Sequence, residues 1–321
     1  MTRYGYHASH EQHPPSALLD YVRRAEQAGF AAAMCSDHFH PWSPQQGQSG
    51  FAWSWLGAAL CATRLSLGCV NAPGWRYHPA IVAQAAATLA EMYPDRFWLS
   101  VGSGEALNEH IVGAHWPEKS ERNARLLESV EIVRALWAGE TVTHRGRVRV
   151  EEAKLYTRPE RPPKIFGAAL TPETARWIGG WADGLITVGA SPDARERVLD
   201  AFREGGGEGK PVKVQVALAW AESDDAALSG AHEEWAPNLL GPDILAALAT
   251  PDQLASAARF VSADDVANRL PVSSDPARHA ATLRAYAELG VETVYIHNVV
   301  RNQPAFIDVF GARVLPELRG T

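Results

Sequence analysis

Residues 65–102, LSLGCVNAPGWRYHPAIVAQAAATLAEMYPDRFWLSVG, decide the fold. Residues 65–70 and 97–102 are short, mostly apolar runs of strand length. Between them, residues 79–92 begin with proline and carry apolar side chains at helical spacing. Strand, helix and strand in this order form a βαβ unit, whose parallel strands are covered on both faces. The same rhythm continues in both directions. Upstream, residues 3–8 and 30–36 read as strands around a helix over 14–28 that Gly29 ends. Downstream comes a long helix over 119–138. Strands over 164–169, 184–188, 212–220 and 293–297 then alternate with helices over 172–182, 192–204, 276–289 and 306–318. Eight strands that each lead into a helix predict an α/β fold, a closed (β/α)8 TIM barrel with insertions. The insertions are a hairpin-bearing excursion near 140–163 and a helical, alanine-rich one near 223–271. With no linker or internal repeat, residues 1–321 read as a single barrel domain. An open doubly wound sheet is the rival, and it is weakened because no G-x-G-x-x-G turn follows the first strand.

Composition narrows the functional classes. Hydrophobic residues make up 46% of the 321 and charged residues 21%, the balance of a soluble globular enzyme. Thirty basic against 37 acidic side chains leave a net charge of -7, which argues against a broad nucleic-acid footprint. Three cysteines cannot build a disulfide framework. The first residues, MTRYGYHASHEQHPP, lack the apolar core of a secretory signal, and no apolar run approaches the roughly 20 residues of a membrane span. The expectation is a cytoplasmic protein with a small-molecule substrate and neither nucleic acid nor membrane as partner. Among eleven tryptophans, Trp42, Trp53, Trp55 and Trp75 suggest an aromatic-walled pocket for a sugar ring or a flat apolar molecule.

Barrel enzymes place their chemistry at the C-terminal ends of the strands. Here those ends run into Ser9-His10-Glu11, Asp37-His38-Phe39-His40-Pro41-Trp42, Cys69-Val70-Asn71, Gly102-Ser103-Gly104-Glu105, Gly167-Ala168-Ala169 and His297-Asn298. Ionisable and amide groups therefore converge on one mouth. His38 titrates near neutrality and suits proton transfer with an alcohol. Asp37 and Glu105 are candidates to tune it, and Glu11 to approach it across the mouth. Gly102-Ser103-Gly104 lets a ligand approach the backbone, but it lacks the lysine of a Walker loop. His38 and His40 also admit a metal reading. A metal needs three or more ligands, and the later strand ends supply only His297, so no metal site is assigned.

At these residues the sequence resembles the bacterial luciferase-like flavin oxidoreductases, and within them the F420-dependent glucose-6-phosphate dehydrogenase subgroup. The stretches that carry the resemblance are Ala8-Ser-His-Glu-Gln12, Ser36-Asp-His-Phe-His-Pro-Trp42, Arg76-Tyr-His-Pro-Ala80 and Gly102-Ser-Gly-Glu-Ala-Leu-Asn-Glu109. Ala182-Asp-Gly184 and Phe310-Gly-Ala-Arg-Val-Leu-Pro316 support them. The resemblance implies a flavin or deazaflavin at the barrel mouth and a homodimer. It places His38 as catalytic base, Trp42 in the active site, Glu105 as acid and Glu11 near the substrate. For the cofactor it implies Asp37 and Asn108, with a cis peptide between Cys69 and Val70; the cluster of glycine and amide groups at the strand ends adds Asn71, Gly104, Glu105, Ala168, Ala169 and Leu170 as cofactor-binding candidates.

The sequence departs from the subgroup where a sugar phosphate would be held. Gly189-Ala-Ser-Pro-Asp193 has no lysine, and Asn268 stands where a lysine is expected, leaving Arg269 alone. Ala72 replaces a hydroxyl residue near the cofactor. The wording resembles a branch that uses an ordinary flavin, so FMN is the first expectation and coenzyme F420 the alternative. Hydride transfer between a small organic substrate and this cofactor is the leading reading, as dehydrogenase, reductase or monooxygenase. A metal-dependent hydrolase built on His38 and His40, or a non-catalytic flavin-binding protein, are the alternatives.

Overall fold

The computed structural model describes residues 1–189 and 191–319. The chain runs β1 (Arg3–Ala8), α1 (Pro15–Ala28), β2 (Ala32–Ser36), α2 (Ala52–Ala62), β3 (Ser66–Asn71), α3 (Pro79–Met92) and β4 (Phe97–Val101). It continues through α4 (Ala106–Glu109), α5 (Lys119–Ala138), β5 (Val142–Arg145), β6 (Arg149–Ala153), β7 (Ile165–Ala168), α6 (Pro172–Gly179), β8 (Gly184–Val188), α7 (Pro192–Phe202) and β9 (Val212–Leu218). Helices α8 (Asp224–Trp235), α9 (Pro242–Ala247), α10 (Pro251–Ala258) and α11 (Ala263–Arg269) form the second excursion. The chain ends with α12 (Pro276–Ala287), β10 (Thr293–Asn298), α13 (Gln303–Val309) and α14 (Leu315–Arg319). Strands β1, β10, β9, β8, β7, β4, β3 and β2 close in that order into a barrel, and β5 and β6 form the separate hairpin. The eight-stranded (β/α)8 barrel expected from the sequence is therefore the fold.

Alternation along the strands separates two cores. Ala32, Met34, Trp98, Phe166, Ile186 and Tyr295 fill the barrel interior. Leu67, Cys69, Leu99, Val101, Val214, Val216 and Ile296 point the other way and pack under the helices. Space for the interior aromatics comes from glycines on the neighbouring strands. Gly5 pairs with Tyr295, Gly68 with Trp98 and Gly184 with Phe166. A Cβ on any of these glycines would come within 2.5 Å of the facing ring. The lower barrel interior is thus plugged by these rings, and barrel enzymes build their sites at the strand C-termini above such a plug.

Two expectations are corrected. The Cys69–Val70 peptide is trans, and no cis peptide occurs among the described residues. Both residues keep regular register with β2 and β4, through Cys35, Ser36, Leu99 and Ser100, so β3 runs extended without a bulge. Trp53 and Trp55 are not pocket walls. They lie on α2, a helix the sequence reading did not find, and both are buried in the core between helices and barrel.

Candidate active site

His38 lies two residues beyond β2, and its loop is fixed from two sides. The backbone N–H groups of Phe39 and His40 donate to Asn108 Oδ1, at 2.9 and 3.3 Å. Ser49 Oγ donates to the His38 carbonyl at 2.7 Å. The imidazole Nδ1 stands 2.8 Å from Glu11 Oε1, in an ion pair whose N–H is turned off the ideal hydrogen-bond direction. Glu11 is buried, and its Oε2 accepts from Ser9 Oγ at 2.8 Å and Ser36 Oγ at 2.7 Å. Burial pushes the Glu11 carboxyl up, but the His38 charge and these donors overcome it and hold the pKa well below the usual range. Burial likewise pushes His38 down, and the Glu11 charge, assisted by Glu105, more than reverses this, so its pKa is raised. For Glu105 burial wins over the pull of His38, and its pKa is raised.

Asp37 does not share this work. Adjacent residues on extended backbone face opposite ways, and Asp37 turns toward α3. It accepts from Asn71 Nδ2 at 2.5 Å and Tyr77 OH at 3.1 Å, and pairs with Arg76 at 3.4 Å. Arg76 Nη2 also donates to the Asp37 carbonyl at 2.6 Å, and Arg76 pairs with Glu109 at 3.5 Å. Asp37 is therefore the anchor of a buried network holding the strand-two loop. The expectation that it tunes His38 is replaced by Glu11, the direct partner. Arg76, Tyr77 and Glu109 lay inside quoted stretches, but nothing in their spacing showed that they meet at Asp37.

The residues expected around a cofactor divide into two sets. Val70, Gly104, Glu105 and Ala168 are partly exposed at the mouth. Asp37, Asn71 and Asn108 are buried braces beneath it. The Cys69 side chain faces the helix layer, and burial pushes its thiol pKa well up. Ala169 packs under α6 and α7, and Leu170 is half exposed. Gly104 has φ +83, and a Cβ there would meet Glu109 at 3.0 Å and Trp116 at 3.2 Å, so a side chain is excluded for two reasons. The Trp42 ring centroid is 5.1 Å from that of His38. Trp75 packs against Trp116 at 5.3 Å, with Arg125 over its face. His40 belongs to another cluster: its Nδ1 contacts the Leu107 carbonyl at 2.8 Å and its ring stacks on His110. Among the described residues no three His, Cys, Asp or Glu side chains gather as metal ligands.

Below the mouth lies a histidine floor. The rings of His7 and His297 are 4.3 Å apart. His297 Nε2 meets Gln12 Oε1 at 3.0 Å and its Nδ1 meets Gln215 Nε2 at 3.4 Å, which together favour the Nε2–H tautomer. Burial lowers the pKa of His7 to about 4 and that of His297 well below the usual value. Both are neutral near pH 7. His297 was visible as a strand end; Gln12 gave no signal beyond its place beside Glu11.

Comparison with known proteins matches this architecture. Residues 1–293 match the luciferase-like monooxygenase family. An F420-dependent glucose-6-phosphate dehydrogenase of Intrasporangium calvum is 39% identical, with 100% of both chains covered. Its counterpart in Microbacterium testaceum is 37% identical over 99% of this chain and 97% of its own. A solved F420-dependent secondary alcohol dehydrogenase, in complex with an F420-acetone adduct, superposes with a TM-score of 0.91 at 31% identity, covering 99% of each chain. The chain belongs to the luciferase-like monooxygenase family and is one of its oxidoreductases.

Proposed function

We propose that the protein oxidises a small uncharged alcohol to a carbonyl compound with coenzyme F420 as hydride acceptor, and that His38 takes the hydroxyl proton. The observation that carries this reading is the His38–Glu11 pair at 2.8 Å, set at the open end of a plugged barrel. The FMN expectation gives way to F420, because the relatives above are F420-dependent by name and lend FMN no support.

The mouth fits a flat deazaflavin ring. Gly102, Gly104, Ala72 and Ala168 present small side chains or none along one wall, and a Cβ on Gly104 would itself meet Ala72 at 3.3 Å. Asn71 Oδ1 is a buried acceptor without a partner and suits a ring N–H. Val70, Gly104, Glu105 and Ala168 would border the ring, with Asp37 and Asn108 bracing the loops around it. F420 supplies, when bound, a two-electron hydride acceptor.

The chain's own residues supply the rest. Glu11 holds His38 by Nδ1, and Nε2, which has no hydrogen-bond partner among the described residues, is free to accept the hydroxyl proton. Trp42 walls the substrate side, and the neutral floor of His7 and His297 offers polar groups without charge.

Three arginines that could meet a phosphorylated substrate are taken up within the fold, while Arg122, which feels Glu105 and lies over the Trp116 ring, keeps Nε and Nη1 without hydrogen-bond partners among the described residues. Arg76 is taken up by Asp37 and Glu109, and Arg301 by Glu234. Arg269 donates to the Leu239 carbonyl at 2.9 Å, and Asn268 is exposed on α11. Of the stretch 189–193, Ala190 lies outside the described residues. A phosphate dianion needs charged or backbone donors. Glucose 6-phosphate is the second reading, favoured by 39% identity over the full length of a dehydrogenase that carries its name. Titration with F420 and FMN, followed by anaerobic F420 reduction with propan-2-ol or glucose 6-phosphate, tests both. F420 binding and alcohol turnover are expected. FMN binding alone, or turnover with the sugar phosphate only, contradicts the proposal.

A further inference from the structure

The C-terminal end of α8, the loop after β2, the segment after β1 and the loop after β10 meet at one buried carboxylate. Glu234 is 3% exposed by side chain and pairs through Oε1 with Arg301 Nε. Its Oε2 accepts from Gln12 Nε2 at 3.0 Å. Gln12 Nε2 also donates to the Val299 carbonyl at 2.7 Å, and Gln12 Oε1 meets His297, so the amide is satisfied on both sides. The remaining nitrogens of Arg301 reach across to the other segments. Nη1 donates to the Gln12 carbonyl at 3.1 Å, and Nη2 to the carbonyls of Gln45 and Gln46 at 2.9 and 3.0 Å. Gln46 closes the circuit: its Nε2 donates to the Glu234 carbonyl at 3.0 Å, and its Oε1 accepts from the Trp42 N–H at 2.9 Å.

Two aromatic walls hang from this junction. Trp42 stands 5.1 Å from His38. Trp235, next to Glu234, meets the His297 ring edge-on at 4.9 Å. Five donors in one planar fork allow a single guanidinium to join several backbone segments, which a lysine cannot do. We infer that Arg301, acting through Glu234 and Gln46, is a positioning residue that sets the distance between the Trp42 and Trp235 walls and so determines which substrates fit beside His38. This inference rests on the alcohol-oxidation reading of the same mouth.

Removal of the fork predicts a split in the kinetic constants. Arg301→Met raises the alcohol KM about tenfold and leaves kcat within a few-fold, as expected when binding contacts rather than the reacting group are lost. Arg301→Lys keeps the charge opposite Glu234 but not the bonds to Gln12, Gln45 and Gln46, and falls between the two. Glu234→Gln turns an acceptor toward the Gln12 amide into a donor and behaves like Arg301→Met. Indole N–H signals of the ¹⁵N-tryptophan-labelled protein, assigned through Trp42→Phe and Trp235→Phe, give a readout without turnover. Those of Trp42 and Trp235 move in the variants. That of Trp137, bonded to the Ala83 carbonyl at 2.9 Å in a remote helix, stays and reports an intact fold. If Arg301→Met perturbs Trp137 as well, Arg301→Lys decides by the same two signals. Unmoved Trp42 and Trp235 signals, or an unchanged KM, overturn the inference. Absence of alcohol turnover in the wild type counts against the proposed function alone, because the indole signals still decide whether the clamp exists.

Discussion

At the scale of single residues, the basicity of His38 is set by a contest between burial and the Glu11 charge. A base that accepts the alcohol proton must be neutral, so kcat/KM for oxidation rises with pH along a limb placed above the ordinary histidine value of about 6.5. Glu11→Gln removes the charge and leaves burial, so the limb moves to lower pH; a limb that stays in place shows that His38 is not the titrating group. His40→Ala is the control, because His40 bonds to Leu107 away from this pair. The other buried histidines act in the opposite sense. Burial lowers His7 and His13 to about 4, so between pH 6.5 and 4 the unfolded chain binds protons that the folded chain refuses. Stability therefore falls as pH drops through this window, by about 3 kcal/mol for each such histidine. Thermal melting from pH 7 to pH 4.5 checks this, and His7→Gln with His13→Gln flattens the profile. His38 and Glu11 were legible in the sequence because strand ends define the barrel mouth. The pairing was not: Asp37 is next to His38 in the chain but faces Arg76, Tyr77 and Asn71, whereas Glu11 arrives from a different strand.

At the scale of elements, the eight barrel strands were legible because each apolar run is followed by a recognisable helix. Helix α2 was missed for a physical reason. Its sequence, AWSWLGAALCA, is apolar on nearly every side, so no stripe of period 3.6 stands out. Trp53 and Trp55 consequently read as loop aromatics near the pocket. The cis peptide expected at Cys69–Val70 came from the resemblance alone, and the regular pairing of β3 leaves no place for it here. Pairing of glycine with an aromatic on the next strand was invisible without register. It makes a sharp prediction at Gly5, where a Cβ would lie 2.5 Å from the Tyr295 ring and 3.0 Å from the Ala32 carbonyl. Gly5→Ala destabilises by about 1–3 kcal/mol, the usual cost of overpacking a core. Tyr295→Leu in the same chain recovers part of that loss, as chemical denaturation of the two single variants and the double variant can show. Purely additive effects would mean that the ring is not what the new methyl group meets.

At the scale of the whole molecule, the plugged lower barrel directs chemistry to the strand C-terminal mouth, and that mouth holds a base paired with Glu11, a neutral polar floor, an aromatic wall and a small-residue face. The departures from a sugar-phosphate site were legible as missing lysines, and the structure adds that Arg76, Arg269 and Arg301 are engaged with partners within the fold. Glucose 6-phosphate is accordingly expected to be turned over far more slowly than a simple secondary alcohol. The central claim is that His38 transfers the proton during F420-dependent alcohol oxidation. Anaerobic steady-state reduction of F420 by propan-2-ol, run on wild type and His38→Ala with F420 affinity titrated in parallel, tests it most directly. The expected kcat is lower by ~10²–10⁴-fold in the variant, the usual worth of general-base catalysis, with F420 affinity within a few-fold. Full turnover by His38→Ala, or no F420 reduction by the wild type with any alcohol, would contradict it.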